Sequence, residues 1–373
     1  MNGLGVELLV YIYLAVCVSM ILFNIGTIIV AKKRDKYNAK KRDQYESIIR
    51  QELTDIRDGK RPDKRHIKYM KRNLYLQEHL LVFVQVMTEL FKEFPDEMPT
   101  YLDALSPAML ALTERYDRHS DPITYAFFLY SLRVFQQMSG KTPPEVEDIL
   151  LGALREDSTY CRENALKAIY SSGETELVIR ALDVLNSENI NHNKKLLTDG
   201  LLTFKGDKNE LNERLWKRFE SFNVGMQVVI LDYIRFCARS NDEKILSILK
   251  DEKRSPELRF SCIRYFGKYP SDEAYPILIE MVENSDELRW EYPAISCTAL
   301  ASYPGEKTVE TLKKALRVSN WYVRYNAAES LSRLGLGYVD LIDVIDGNDR
   351  YAREILQFQL DVKYNQKKEA EAR

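Results

Sequence analysis

Asn320–Gly335 reads NWYVRYNAAESLSRLG. Val323, Ala327 and Leu331 recur every four residues, which places small and branched apolar side chains on one face of a helix. Asn320 stands where a helix-starting residue belongs, and Gly335 where a helix-ending one does. The same arrangement recurs upstream in STYCRENALKAIYSSG (158–173), NHNKKLLTDGLLTFKG (191–206), VGMQVVILDYIRFCAR (224–239) and SPELRFSCIRYFGKYP (255–270). A basic or amide residue opens each copy, at Arg162, Lys195, Gln227, Arg259 and Arg324, with intervals of 33, 32, 32 and then 65 residues. Three residues further on stand Ala165, Thr198, Ile230, Cys262 and Ala327. The double interval skips ELRWEYPAISCTALASYPG (287–305), where Glu291 takes the basic slot and Pro293 disturbs the pattern, and a final copy offers Arg353.

A shorter amphipathic segment precedes each copy, such as EVEDILLGALRE, ETELVIRALDVLN and KTVETLKKALRV. A two-helix unit of about 32 residues cannot cover its own apolar face, whereas stacked copies can. The predicted fold is all-α, a right-handed solenoid of two-helix repeats over 144–363, with 64–143 as divergent repeats or a cap. DPITYAFFLYSLRVFQQM opens with Asp121 as a cap and Pro122 at the first helical position. Lys64–Phe94 reads as one long helix, and 364–373 as a charged, disordered tail.

The period and the Asn320–Gly335 motif resemble the HEAT repeat, whose second helix reads D-x-x-V-R-x-x-A-A-x-x-L-x-x-L-G. Arg162 and Ala165 fall in the same slots in an earlier copy, with Asp157 one residue before the Asp slot. The resemblance covers about 145–360, and armadillo arrays are the near alternative. It implies that the recurring Arg ties neighbouring copies together through an Asp or backbone group, and that second helices line a concave binding surface. Some members are lyases that attach bilin pigments to phycobiliproteins, so a lyase-like activity is a further alternative.

The N-terminus is built differently. Leu8–Val30 is 23 residues without a charge, long enough to cross a hydrocarbon core of about 30 Å. No basic residue precedes it, which argues for an anchor over a cleaved signal. Lys32, Lys33, Arg34, Lys36, Lys40, Lys41 and Arg42 follow at once. By the positive-inside rule residues 1–7 lie outside and the rest of the chain in the cytoplasm. Within the span Asn24 stands open to two readings, a contact to another membrane helix or an interfacial residue that lipid tolerates. The neck, 31–63, ends in a helix from Asp35 to Asp58 with Tyr45, Ile48, Ile49, Leu53 and Ile56 on one face. Residues 31–72 carry a net charge of +9, so within a total of −2 the body beyond is acidic. A basic neck favours anionic head groups, and an acidic body argues against nucleic acid.

No nucleotide, zinc-protease or hydrolase motif is present. The four histidines (66, 79, 119, 192) are scattered, and the five cysteines read as buried, reduced thiols. The expectation is therefore a chain without catalytic activity, cofactor, metal or small-molecule substrate. Aromatic and arginine residues on two adjacent second helices are the candidate partner site: Arg264, Arg289, Trp290, Tyr292, Trp321, Tyr322, Arg324 and Tyr325. Tyr, Trp and Arg dominate binding hot spots, but the same rings also suit an inter-repeat core. Tyr325 and Trp290 stand out as surface positions, since Ile295, Ala299, Val323, Ala327 and Leu331 take the core slots. The composite expectation is a single-pass bacterial inner-membrane protein whose cytoplasmic solenoid binds a protein partner. One such partner is a membrane enzyme, for example a polysaccharide glycosyltransferase. The alternative is an adaptor that binds anionic membrane through its neck.

Overall fold

The computed structural model describes residues 3–116, 121–237 and 239–371, all of them in helices or their connections. The chain divides into two compact units, Met1–Ala181 and Leu182–Arg373.

The first unit begins with α1 (Gly3–Arg57), a single helix of 55 residues. Anchor and neck are thus one element: Val30-Ala-Lys-Lys-Arg-Asp offers no glycine or proline at which to break. The apolar half is bare, with Leu8 61% and Phe23 71% exposed, and qualifies as a candidate membrane span. The lower half is core. Tyr45, Ile49 and Leu53 are fully buried, each contributing about 1.5–3 kcal/mol. The expected 64–94 helix is two, α2 (Lys64–Asn73) and α3 (Gln77–Leu90). The chain turns at Asn73, whose amide donates to Tyr69 O and whose own carbonyl is held by His79 Nδ1 at 3.0 Å. That turn buries Leu74 and lets α3 lie along α1. Then follow α4 (Met98–Tyr116) and α5 (Pro122–Ser139), α6 (Pro144–Ala153) and α7 (Thr159–Ser172). Asp121 caps α5 through Thr124 N, and Gly140 closes it at φ +67°. Residues 64–139 are therefore two more helix pairs.

α8 (Thr175–Ser187) carries the boundary between the units. The second unit continues in pairs: α9 (Lys194–Leu202); α10 (Lys208–Arg218) with α11 (Val224–Cys237); α12 (Asp242–Lys250) with α13 (Pro256–Lys268). After them come α14 (Tyr275–Glu283) with α15 (Glu291–Leu300), α16 (Glu306–Ala315) with α17 (Trp321–Arg333), and α18 (Ile342–Ile345) with α19 (Arg350–Glu371). The second helices pack in one row, α9 on α11, α11 on α13, α13 on α15, α15 on α17 and α17 on α19. Each unit is thus a stack of helix pairs in the manner of a HEAT solenoid. Ala165, Ile230, Cys262 and Ala327, from the slot that recurs in the sequence, are all fully buried. At Gly267 the row closes tightly: an added Cβ would meet Ala299 Cα at 3.0 Å.

Three expectations need correction. The terminal segment is not disordered through 371, because α19 runs on through Gln366-Lys-Lys-Glu-Ala-Glu, a string of strong helix formers. Cys17 and Cys237 are only partly covered, whereas Cys161, Cys262 and Cys297 are buried as expected. The register of α15 is shifted by one. The helix starts at Glu291, and its buried side is Tyr292, Ser296, Cys297, Ala299 and Leu300, while Ile295 is turned partly outward.

Candidate functional site

Except at Lys195, which is exposed, the recurring basic or amide side chain does one job, at close range. Arg162 donates to Glu156 O (2.5 Å), Gln227 to Phe219 O (3.1 Å) and Arg259 to Leu249 O (3.0 Å). Arg324 donates to Ser319 O (2.9 Å) and Arg353 to Gly347 O (3.4 Å). Each of these acceptors is a backbone carbonyl in the stretch just before the same second helix. The residue closes its own repeat, where helix-end carbonyls lack partners, rather than tying one copy to the next. Arg259 in addition reaches forward, donating from Nη1 to the Tyr292 hydroxyl at 3.3 Å and lying over that ring. Glu291, in the odd copy, pairs instead with Arg289 at 2.8 Å, which holds its carboxyl below the ordinary range.

The eight candidate partner residues separate into three groups. Tyr292 belongs to the core: it is 6% exposed and sits edge-on to Phe260 at 4.8 Å. It is therefore no surface contact, for the register reason given above. Arg264 lies elsewhere, on the exposed face of α13 among Arg235, Lys268 and Arg333, where they line a cleft of about 420 Å³. The cleft walls partly desolvate its guanidinium and pull it below its usual pKa, against the attraction of Asp232.

The remaining rings come together. Trp290 stacks on Tyr322 at 4.8 Å, Tyr322 meets Trp321 edge-on at 5.1 Å, and Trp321 stacks on Tyr325 at 4.9 Å. Trp290 is 43%, Trp321 55% and Tyr322 53% exposed, and Tyr325 is half-buried. The local cause is plain. Asn320 caps α17 by accepting from Tyr322 N and Val323 N. Trp321 and Tyr322 thus occupy its first two positions, one turn outside the core face that starts at Val323. Trp290 stands one place earlier, at the cap position of α15. The ladder therefore runs along the rim formed by helix starts, not through the middle of the row. Arg289 flanks it at one end, and Arg324 at the other lies over the Tyr351 ring at 5.2 Å.

At the neck the structure divides the seven cations. Lys41 donates to Asn73 Oδ1 (3.0 Å) and Arg42 pairs with Glu89 (2.7 Å), so both tie α1 to the body. Lys32, Lys33, Arg34, Lys36 and Lys40 stay exposed on the side of the span. Asn24 is exposed on the apolar half of α1, with its carbonyl accepting from the Thr27 hydroxyl. His66 meets the Tyr101 hydroxyl at 2.8 Å, His79 that of Tyr37 at 2.9 Å, and His119 lies outside the described residues. Reading by period found the ladder. It missed Arg235, Lys268 and Arg333, whose common signal is position near the ends of the second helices α11, α13 and α17.

No family model matches the chain, and no curated protein matches it. A solved structure of human deoxyhypusine hydroxylase in complex with glycerol covers 80% of this chain and 95% of its own, with 15% identity and a TM-score of 0.28. That neighbour is an enzyme, and the expectation of a chain without catalytic activity is not carried forward. A likeness this distant transfers no activity, residue or cofactor. The class that the chain's own helices define is an α-helical repeat protein led by a candidate membrane span.

Proposed function

We propose that this chain holds a partner protein at a membrane surface. α1 anchors it, the basic segment after Val30 sets the body on the cytoplasmic side, and the rim of the second unit supplies the contact. The stacked ladder Trp290–Tyr322–Trp321–Tyr325 carries this reading. Two tryptophans and a tyrosine on the surface cost little side-chain entropy on binding and bury large area, as hot-spot residues do. Anchoring confines the rim to a thin layer and raises its effective concentration for membrane partners. In its narrowest form the partner is a membrane enzyme such as a polysaccharide glycosyltransferase.

Affinity purification of the full chain from its native membranes in mild detergent tests this. A stoichiometric protein should co-purify, should be lost with Trp321→Ala/Tyr325→Ala, and should weaken when a foreign span replaces 8–30. Equal recovery with the double variant would overturn the assignment of the rim. A second reading, direct contact of the body with anionic lipid, draws on a different surface, described next.

A further inference from the structure

Outside the span, the first unit exposes few large apolar side chains among its described residues. They are Tyr37 (51%), Tyr75 (40%), Leu76 (58%), Leu81 (41%), Ile123 (70%) and Tyr160 (73%). They come from five different segments, yet contacts draw them to one end of the unit. The Tyr37 hydroxyl meets His79 Nε2 at 2.9 Å, and Lys41 reaches Asn73 at 3.0 Å, so the 74–77 turn sits beside residues 37–41 of α1. The Thr124 hydroxyl donates to Gln77 Oε1 at 3.3 Å, bringing the start of α5 to that turn. Cys161 Sγ lies 3.3 Å from Pro122 O, bringing the start of α7 to the start of α5. The pairs Arg42–Glu89, Arg50–Glu93 and Arg57–Glu97 show that the chain from α3 onward descends in parallel with α1. The starts of α3, α5 and α7 therefore all face the span.

The level of this end follows from helix rise. Tyr37 is seven residues past Val30, about 10 Å along the axis. The head-group layer on one side of a bilayer is about 5–8 Å thick, from a core of about 30 Å and a total of about 40–45 Å. The apolar end thus begins just outside that layer, within about one side-chain length of it. Around it stand the five exposed cations Lys32, Lys33, Arg34, Lys36 and Lys40. Three helix N-termini point the same way; Asp121 already caps that of α5, while those of α3 and α7 have no side-chain cap and favour anions.

We infer that the Leu76–Ile123 end of the first unit is a membrane-contacting face, seated on the head groups of an anionic bilayer. The body is then held by two attachments, the span and this face, rather than hanging from α1 alone. The inference rests on α1 as a membrane span and not on the aromatic rim.

Chains with a single accessible cysteine, in nanodiscs of mixed zwitterionic and anionic lipid, test it. An environment-sensitive fluorophore is placed on native Cys17 with Cys237→Ser, or on Leu76→Cys, Ile123→Cys or Lys60→Cys in a Cys17→Ala/Cys237→Ser background. The buried Cys161, Cys262 and Cys297 stay unlabelled. Labels at 76 and 123 should emit to the blue of the label at 60 and be quenched by lipid-borne spin labels, as at 17. Circular dichroism checks that each chain is folded. Water-like emission at 76 and 123 with quenching at 17 would overturn the inference and leave the span standing. Blue emission at 76 and 123 without lipid quenching would also overturn it, pointing to a protein cover such as a second copy. An unquenched label at 17 would remove the span itself.

Discussion

The two units fill the same slot of the repeat with different chemistry. In the first, the opening positions of α5 and α7 carry Ile123 and Tyr160, next to a helix that bears five exposed cations. In the second, the openings of α9, α11, α17 and α19 carry Leu196, Val224, Trp321 with Tyr322, and Tyr351, with Trp290 just before α15. These side chains precede the core face of each helix and are not needed to hold the stack. The slot is where a solenoid can vary its surface without disturbing its interior. Separate apolar side chains beside a basic neck suit lipid; rings stacked into a ladder with flanking arginines suit a protein.

The sharpest test of the division is whether the neck is body or tether. Tyr45 is fully buried and meets Phe83 edge-on at 6.3 Å. Tyr45→Ala should cost the first unit about 3–5 kcal/mol, in the range of other aromatic truncations, read as a lower urea midpoint. A midpoint left unchanged would make 31–57 a linker and dissolve the first unit as drawn. In the second unit, Arg259→Met removes the donor to Leu249 O and the cover of Tyr292, and should cost about 1–3 kcal/mol. Adding Tyr292→Phe should cost less in that background than alone, since the two groups share a bond.

Acid should separate the units. Burial holds both His66 and His79 below the ordinary 6.5. The unfolded first unit then binds more protons than the folded one below that value, so its stability is complete above pH 6.5 and declines as pH falls. Thermal midpoints at pH 7.5 and 5.5 should differ more for the first transition, and His79→Gln should flatten the slope. The smallest effect is expected at the rim. Trp321→Ser should change stability by less than about 0.5 kcal/mol, as surface substitutions do, while abolishing partner recovery. A large loss of stability there would return the ladder to the core.

Much of the stack was legible because its interior is periodic. Ala165, Cys262 and Ala327 are small for the same reason, the close approach of neighbouring second helices. The basic slot was legible too, though its bond partner was not: an arginine a few residues past a carbonyl looks no different in sequence from one that reaches the next repeat. Tyr292 reads as a surface ring only if the period holds, but α15 starts 35 residues after α13 and its buried side moves with it. The 74–76 turn escaped notice because Leu80, Val82 and Phe83 read as the same apolar run whether or not the chain bends before them. The membrane-facing end was invisible, since residues from five segments meet there and no spacing links them.

The unbroken backbone of α1 has a mechanical meaning. With no hinge between Val30 and the buried Tyr45, the azimuth of the body around the span is set by residue count alone. Each residue removed from 31–36 would swing the body by about 100° and draw it about 1.5 Å toward the bilayer. The segment therefore acts as a phase-setting shaft. Which side of the first unit faces a neighbour of α1 is fixed by the length of a stretch of exposed lysines and arginines.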